Sequence, residues 1–178
     1  MPDQIPPLPD EDHRCPSCGL DYASLSTAEA TAVITAMPAD AAAAVAGVGA
    51  DRLRARPEPG TWSAVEYLCH LRDVAVTATV RLHRARTEGR PAIEPMLNDL
   101  RARRFRYVDA DPQAVLAELG RVVGGVSDEI ARISADGWTR TVPRLPGEER
   151  TVRWLVRHAA HECRHHLADI ARIVGTAT

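Results

Sequence analysis

From Thr151 to about Val174 the chain contains neither Pro nor Gly, and its apolar residues recur at the period of an amphipathic helix. Val152, Val156, Ala159, Cys163, Ile170 and Val174 fall on one arc of that helix, so the segment must lie against other elements to bury it. The same helix crowds His161, Glu162, His165 and His166 into little more than one turn. Positions four apart share a face, so two ligand pairs compete: His161 with His165, and Glu162 with His166. Glu162 and His166 flank the apolar arc. His161 and His165 lie nearly opposite its centre, on a stripe with Trp154, His158 and Arg172, and are expected to be more exposed.

A second long helix is predicted from Ser63 to about Arg86, where Ser63 and Glu66 have capping-box spacing. It carries His70 on a polar stripe with Ser63, Glu66, Asp73 and Thr77, away from Leu68, Leu71 and Ala75. Such a stripe can line a cavity. Ser26 or Thr27 caps a first helical segment to about Val48, with a break or kink expected at Pro38. Pro112 suits the first turn of another helix to about Ser134, weakened by Gly124-Gly125. Asp51 to Gly60, Gly89 to Asp111 and Trp138 to Gly147 read as connections, the second partly helical. No strand pattern is apparent, so the chain reads as an all-α four-helix bundle with long connections. Residues 26–178 form the bundle, and residues 1–25 form a Pro- and acid-rich arm, mobile to about Asp12, that carries Cys15-x-x-Cys18.

At 178 residues, 45% hydrophobic and 26% charged, with a net charge of −2, the chain fits one independently folding domain with no electrostatic signature of nucleic-acid binding. No apolar run reaches the length of a membrane span and no signal peptide opens the chain, which leads to an expected cytoplasmic location. All 22 basic residues are Arg, with Ala abundant, a usage resembling that of a high-GC bacterium. In a reducing compartment the four cysteines are expected as thiols or metal ligands rather than disulfides.

A carboxylate beside a core needs a partner. If the His70 stripe faces the last helix, His70, Glu162 and His166 form a two-His, one-carboxylate metal set with room for water or substrate. A hydrogen-bonded His70 and a simple Glu162–His166 helix pair are the bland alternative. His161-Glu162-Cys163-Arg164-His165 also fits the zinc-peptidase HExxH pattern, but the Gly-x-x-His extension and accompanying strands are missing. Cys15 and Cys18 have the spacing of half a zinc knuckle, a candidate second metal site to be completed by His13, Cys69, another subunit or a non-protein ligand, with a surface thiol pair as the alternative. Cys69 and Cys163 are expected as buried structural thiols. Arg101, Arg103 and Arg104, near Phe105 and Tyr107, are candidates to clamp an anionic substrate, with a solvated charged face as the alternative.

Trp62-Ser63, Glu66, His70 and Asp73, together with Glu162, His166, Asp169 and Ile170, resemble the DinB/YfiT-like superfamily. Its members include metal-dependent thiol transferases and mycothiol-dependent maleylpyruvate isomerase. Registering on Asp169-Ile170, the resemblance implies His70, Glu162 and His166 as metal ligands, with a shifted set of His70, His161 and His165 left open. It implies an up-down-down-up bundle, often a homodimer. The metal is expected to be divalent, zinc first, with nickel, manganese or iron as alternatives. A small thiol such as mycothiol would bind it as thiolate and act on a small electrophile, with no nucleic-acid or membrane partner. A non-enzymatic metal-binding or stress-associated dimer is the rival function.

Overall fold

The computed structural model describes residues 5–175. Its helices are α1 (Thr27–Ala44), α2 (Ala50–Arg54), α3 (Ala64–Thr87), α4 (Asn98–Arg104), α5 (Pro112–Ala131) and α6 (Val152–Gly175). Strands β1 (Thr141–Pro143) and β2 (Glu149–Thr151) lie between α5 and α6.

Local chemistry sets the starts of the long helices. Ser26 caps α1: the Glu29 N–H donates to Ser26 Oγ at 3.1 Å, and the Ser26 N–H donates to Glu29 Oε2 at 2.9 Å. Ser63 does the same for α3, its N–H and hydroxyl both donating to Glu66 Oε2 at 2.9 Å. There the box is buried, and Arg56 Nε at 2.8 Å supplies the charge that Glu66 needs. Asp111 caps α5 just before Pro112.

The four long helices pack in a ring, with α1 beside α5 and α6, and α3 beside α5 and α6. Consecutive long helices therefore sit diagonally at the α1-to-α3 and α5-to-α6 steps, whereas the link from α3 to α5, which carries α4, joins neighbours. Leu68, Leu71, Leu82, Leu119, Val126, Val156 and Ile170 fill the interior. Burying side chains of this kind is worth about 1.5–3 kcal/mol each. Gly125 belongs to this packing, since a Cβ there would meet Thr79 side-chain atoms of α3 at 3.2 Å.

Several details differ from expectation. α1 continues through Pro38, with Ile34, Met37 and Ala41 buried around it; packing compensates for the lost hydrogen bond. β1 and β2 form a small antiparallel hairpin, Thr141 opposite Thr151, too short for alternation to register in sequence. The arm described from residue 5 is anchored on α6 and the hairpin. Trp154 Nε1 donates to the Asp10 carbonyl at 3.2 Å, Arg150 donates to the Leu8 and Pro9 carbonyls, and the Thr151 N–H donates to Glu11 Oε1 at 2.7 Å. Trp154 is fully buried beneath it, as is the arm's own Tyr22.

Candidate metal centre

α3 and α6 are neighbours, and the face of α6 that flanks its apolar arc turns Glu162 and His166 towards His70. His70 Nε2 lies 3.1 Å from Glu162 Oε2, and His166 Nε2 lies 3.5 Å from the same oxygen. The donor atoms of all three residues lie within 4.8 Å of one another. Trp62 packs against the His70 ring at 5.3 Å, and Tyr67 packs against His166 at 5.2 Å. On the far side of His166, Nδ1 lies 3.0 Å from Asp169 Oδ2, and Arg172 donates to Asp169 Oδ1 at 2.8 Å. A carboxylate behind one ring nitrogen fixes the tautomer and leaves the other free for a metal.

Burial raises the Glu162 carboxyl, but the His166 and His70 rings outweigh it and hold the group well below the usual carboxylate range. Burial lowers His166, whereas Asp169 and Glu162 outweigh burial and push it up to about 9. A carboxylate flanked by two imidazoles, one backed by a second carboxylate, is a donor set that fits a divalent cation and leaves coordination positions open.

Beside Glu162 opens a cavity of about 420 Å³, walled by Val74, Ala78 and Arg81 of α3 and by Leu155, His158 and Ala159 of α6. Residues 5–9 of the arm and residues 95–100 close it, and Arg144 reaches in from the hairpin loop. Arg81 is pulled down to about 10 by burial and by Arg144. His158 Nδ1 lies 2.9 Å from Tyr22 Oη, and its Nε2 lies 4.0 Å from Glu162 Oε1. Burial holds His158 below its ordinary value.

Sequence reasoning missed Arg81, Arg144 and His158. The first and last had a signal, since Arg81 lies three turns beyond His70 on the same face of α3 and His158 one turn before Glu162 on α6. Arg144 had none, because a short hairpin delivers it.

Arg101, Arg103 and Arg104 do not line this cavity. Arg101 Nε donates to buried Asp73 Oδ2 at 3.0 Å, and its guanidinium sits 5.1 Å over Phe105; Arg103 and Arg104 are exposed. The polar stripe of α3 divides accordingly. Glu66 belongs to its cap and Asp73 to Arg72, Arg101 and Tyr107, while the cavity takes the neighbouring row.

His161 and His165 are also placed differently from expectation. The arm covers their face of α6, leaving His161 only 8% exposed and His165 half-buried. No donor group among the described residues joins them to His70; they lie with Cys15 and Cys18 instead. The HExxH geometry, two histidines around a position open to water, is accordingly not formed. Cys69 and Cys163 are buried, each thiol pushed up to about 12 by burial.

The family model described as the DinB superfamily matches residues 33–170. Among solved structures, YfiT from Bacillus subtilis, described as a probable metal-dependent hydrolase with an unusual four-helix bundle topology, aligns with a TM-score of 0.72 at 22% identity, covering 85% of this chain and 91% of that one. A mycothiol-dependent maleylpyruvate isomerase aligns with a TM-score of 0.66 at 15% identity, over 83% of this chain and 62% of its own. At these identities the likeness is one of fold. Comparison with curated protein sequences gave no match.

Proposed function

The chain belongs to the DinB superfamily, and on that premise we propose that it is a divalent-metal enzyme that activates a low-molecular-weight thiol of the mycothiol type for transfer to, or isomerisation of, a small anionic electrophile. The observation that carries this reading is the convergence of His70, Glu162 and His166 at the edge of the cavity that Arg81 and Arg144 enter. A cation in such a donor set, zinc first by ligand chemistry, lowers the pKa of a thiol or water and so supplies a nucleophile at neutral pH.

The chain's own residues then have separate tasks. His70, Glu162 and His166 hold the cation, and Asp169 orients His166. Arg81 and Arg144 bind the anionic end of the electrophile, a role for which two guanidiniums at a partly enclosed cavity are suited. His158, kept neutral by burial, accepts or returns a proton beside Glu162. The described cysteines supply no free nucleophile, since Cys69 and Cys163 are buried and Cys15 and Cys18 lie across α6 in the arm. The donor set is complete within one chain, so the proposed homodimer does not need to share it.

Addition of mycothiol or another small thiol to the cobalt-substituted protein tests this. The expected result is a new sulfur-to-metal charge-transfer band with release of a proton, both absent in His70→Ala. Full cobalt loading with no spectral response to thiol would overturn the thiol reading and favour a metal-bound water or a non-catalytic metal site.

A further inference from the structure

We propose that Cys15, Cys18, His161 and His165 form a second, structural metal site of the zinc type that staples the N-terminal arm to α6. Two sequence features that the bundle site leaves unused, the Cys15-x-x-Cys18 pair and the His161–His165 pair, meet here. The donor atoms of these four residues lie within 4.8 Å of one another, and Cys15 Sγ is 3.5 Å from His165 Nδ1. Tetrahedral zinc with sulfur and nitrogen donors spaces them by roughly 3.3–3.8 Å, so small side-chain adjustments complete the cage.

The unsatisfied chemistry of His161 is the second observation. Its side chain is nine-tenths buried with both ring nitrogens covered, yet neither nitrogen has a hydrogen-bond partner among the described residues, Nδ1 coming no nearer than 3.8 Å to Glu162 Oε1. A buried imidazole left in that state costs stability and calls for a missing partner. A metal bound through one nitrogen supplies it.

The arm has the form the site needs. The Cys15 N–H donates to the Leu20 carbonyl and the Gly19 N–H to the Cys15 carbonyl, both at 2.9 Å, while the backbones of Arg14 and Asp21 pair as an isolated antiparallel bridge. Gly19 at a φ of +70° closes this turn, a conformation suited to a residue without Cβ. The result is a tight knuckle presenting two thiols to one side, with no disulfide between them. His161 and His165, one turn apart, present two nitrogens from α6. A set of two thiolates and two imidazoles favours zinc and fills its tetrahedron, so the site is closed and structural. Adjacent residues of α6 thus meet different neighbours, Glu162 and His166 facing His70 of α3 and His161 and His165 facing Cys15 and Cys18 of the arm. The knuckle also holds the chain that continues back to residues 5–9 over the cavity.

Cobalt loading in the absence of any small thiol tests this separately from the proposed activity, because the bundle set contains no sulfur. Wild-type protein is expected to show a thiolate-to-cobalt charge-transfer band. The Cys15→Ser/Cys18→Ser variant should lose that band and one metal equivalent per chain, while His70→Ala keeps the band. Cobalt-saturated wild type without a sulfur band would overturn the proposal, and that measurement depends on no variant folding. Persistence of the band in the cysteine double variant, or its loss in His70→Ala, would also overturn it.

Discussion

Asp169 stands directly behind His166, its Oδ2 3.0 Å from Nδ1, so the ring's Nε2 is the nitrogen presented to Glu162. Metal sites commonly owe a tenfold to hundredfold gain in affinity to such a partner. Asp169→Asn is therefore expected to weaken zinc binding at the bundle site by about 10–100-fold with unchanged helical circular dichroism, measured by competition with a chelator in a Cys15→Ser/Cys18→Ser background. Unchanged affinity would remove Asp169 from the site.

Glu162 and His161 are sequence neighbours, their polar atoms 3.8 Å apart, yet Glu162 converges with His70 and His166, and His161 with Cys15, Cys18 and His165. Glu162→Ala should abolish the thiol response of the cobalt protein and spare the thiolate band seen without added thiol. His161→Ala should do the reverse. Equal loss of both signals in either variant would mean a single site rather than two.

Protonation makes the bundle site respond to pH in two opposing ways. His166 is pushed up to about 9, chiefly against burial by Asp169 and Glu162, so near neutral pH the metal-free ring carries a proton that a cation must displace. Zinc affinity should rise about tenfold per pH unit up to about 9, with roughly one proton released per bound metal at pH 7. For the metal-free fold the sign reverses. A raised folded pKa gives stability that is present below about 6.5 and lost as pH climbs through 9. Calorimetry of chelator-treated protein should show Tm falling across that interval while metal affinity increases.

Asp73 tests the frame rather than the metal. Burial raises its carboxyl, but Tyr107, Arg101 and Arg72 outweigh burial and hold it below the usual range. Asp73→Ala leaves the buried Tyr107 hydroxyl without its acceptor and should cost about 1–3 kcal/mol in denaturant unfolding. The depressed pKa means this contribution is present above about 3.9 and fades as pH falls through the folded value. The variant should therefore lose less stability than wild type on acidification. An equal loss would show that Asp73 is not the acid-sensitive group.

The sequence makes the long helices legible because Ser63 and Glu66, Asp111 and Pro112, and the apolar arc of α6 each state a local preference that tertiary packing reinforces. The convergence of His70, Glu162 and His166 was approachable for the same reason, since helical periodicity fixes which residues share a face. What escaped depended on the arm. Pro-rich and acidic residues before Cys15 give no periodic signal, so nothing indicated that they cover Trp154, His158 and His161. Without that cover these residues read as a polar outer stripe, and nothing in the sequence brings the Cys15–Cys18 pair beside His161 and His165. Arg144 was illegible because a hairpin of two three-residue strands delivers it.

The most direct test of the central claim is anomalous diffraction at the zinc edge from crystals of the zinc-loaded protein. The expected result is a peak bounded by His70 Nε2, the Glu162 carboxylate and His166 Nε2, about 2.0–2.2 Å from each. Zinc-saturated crystals with no peak among these three residues, or with one coordinated by His70 together with His161 and His165, would contradict it.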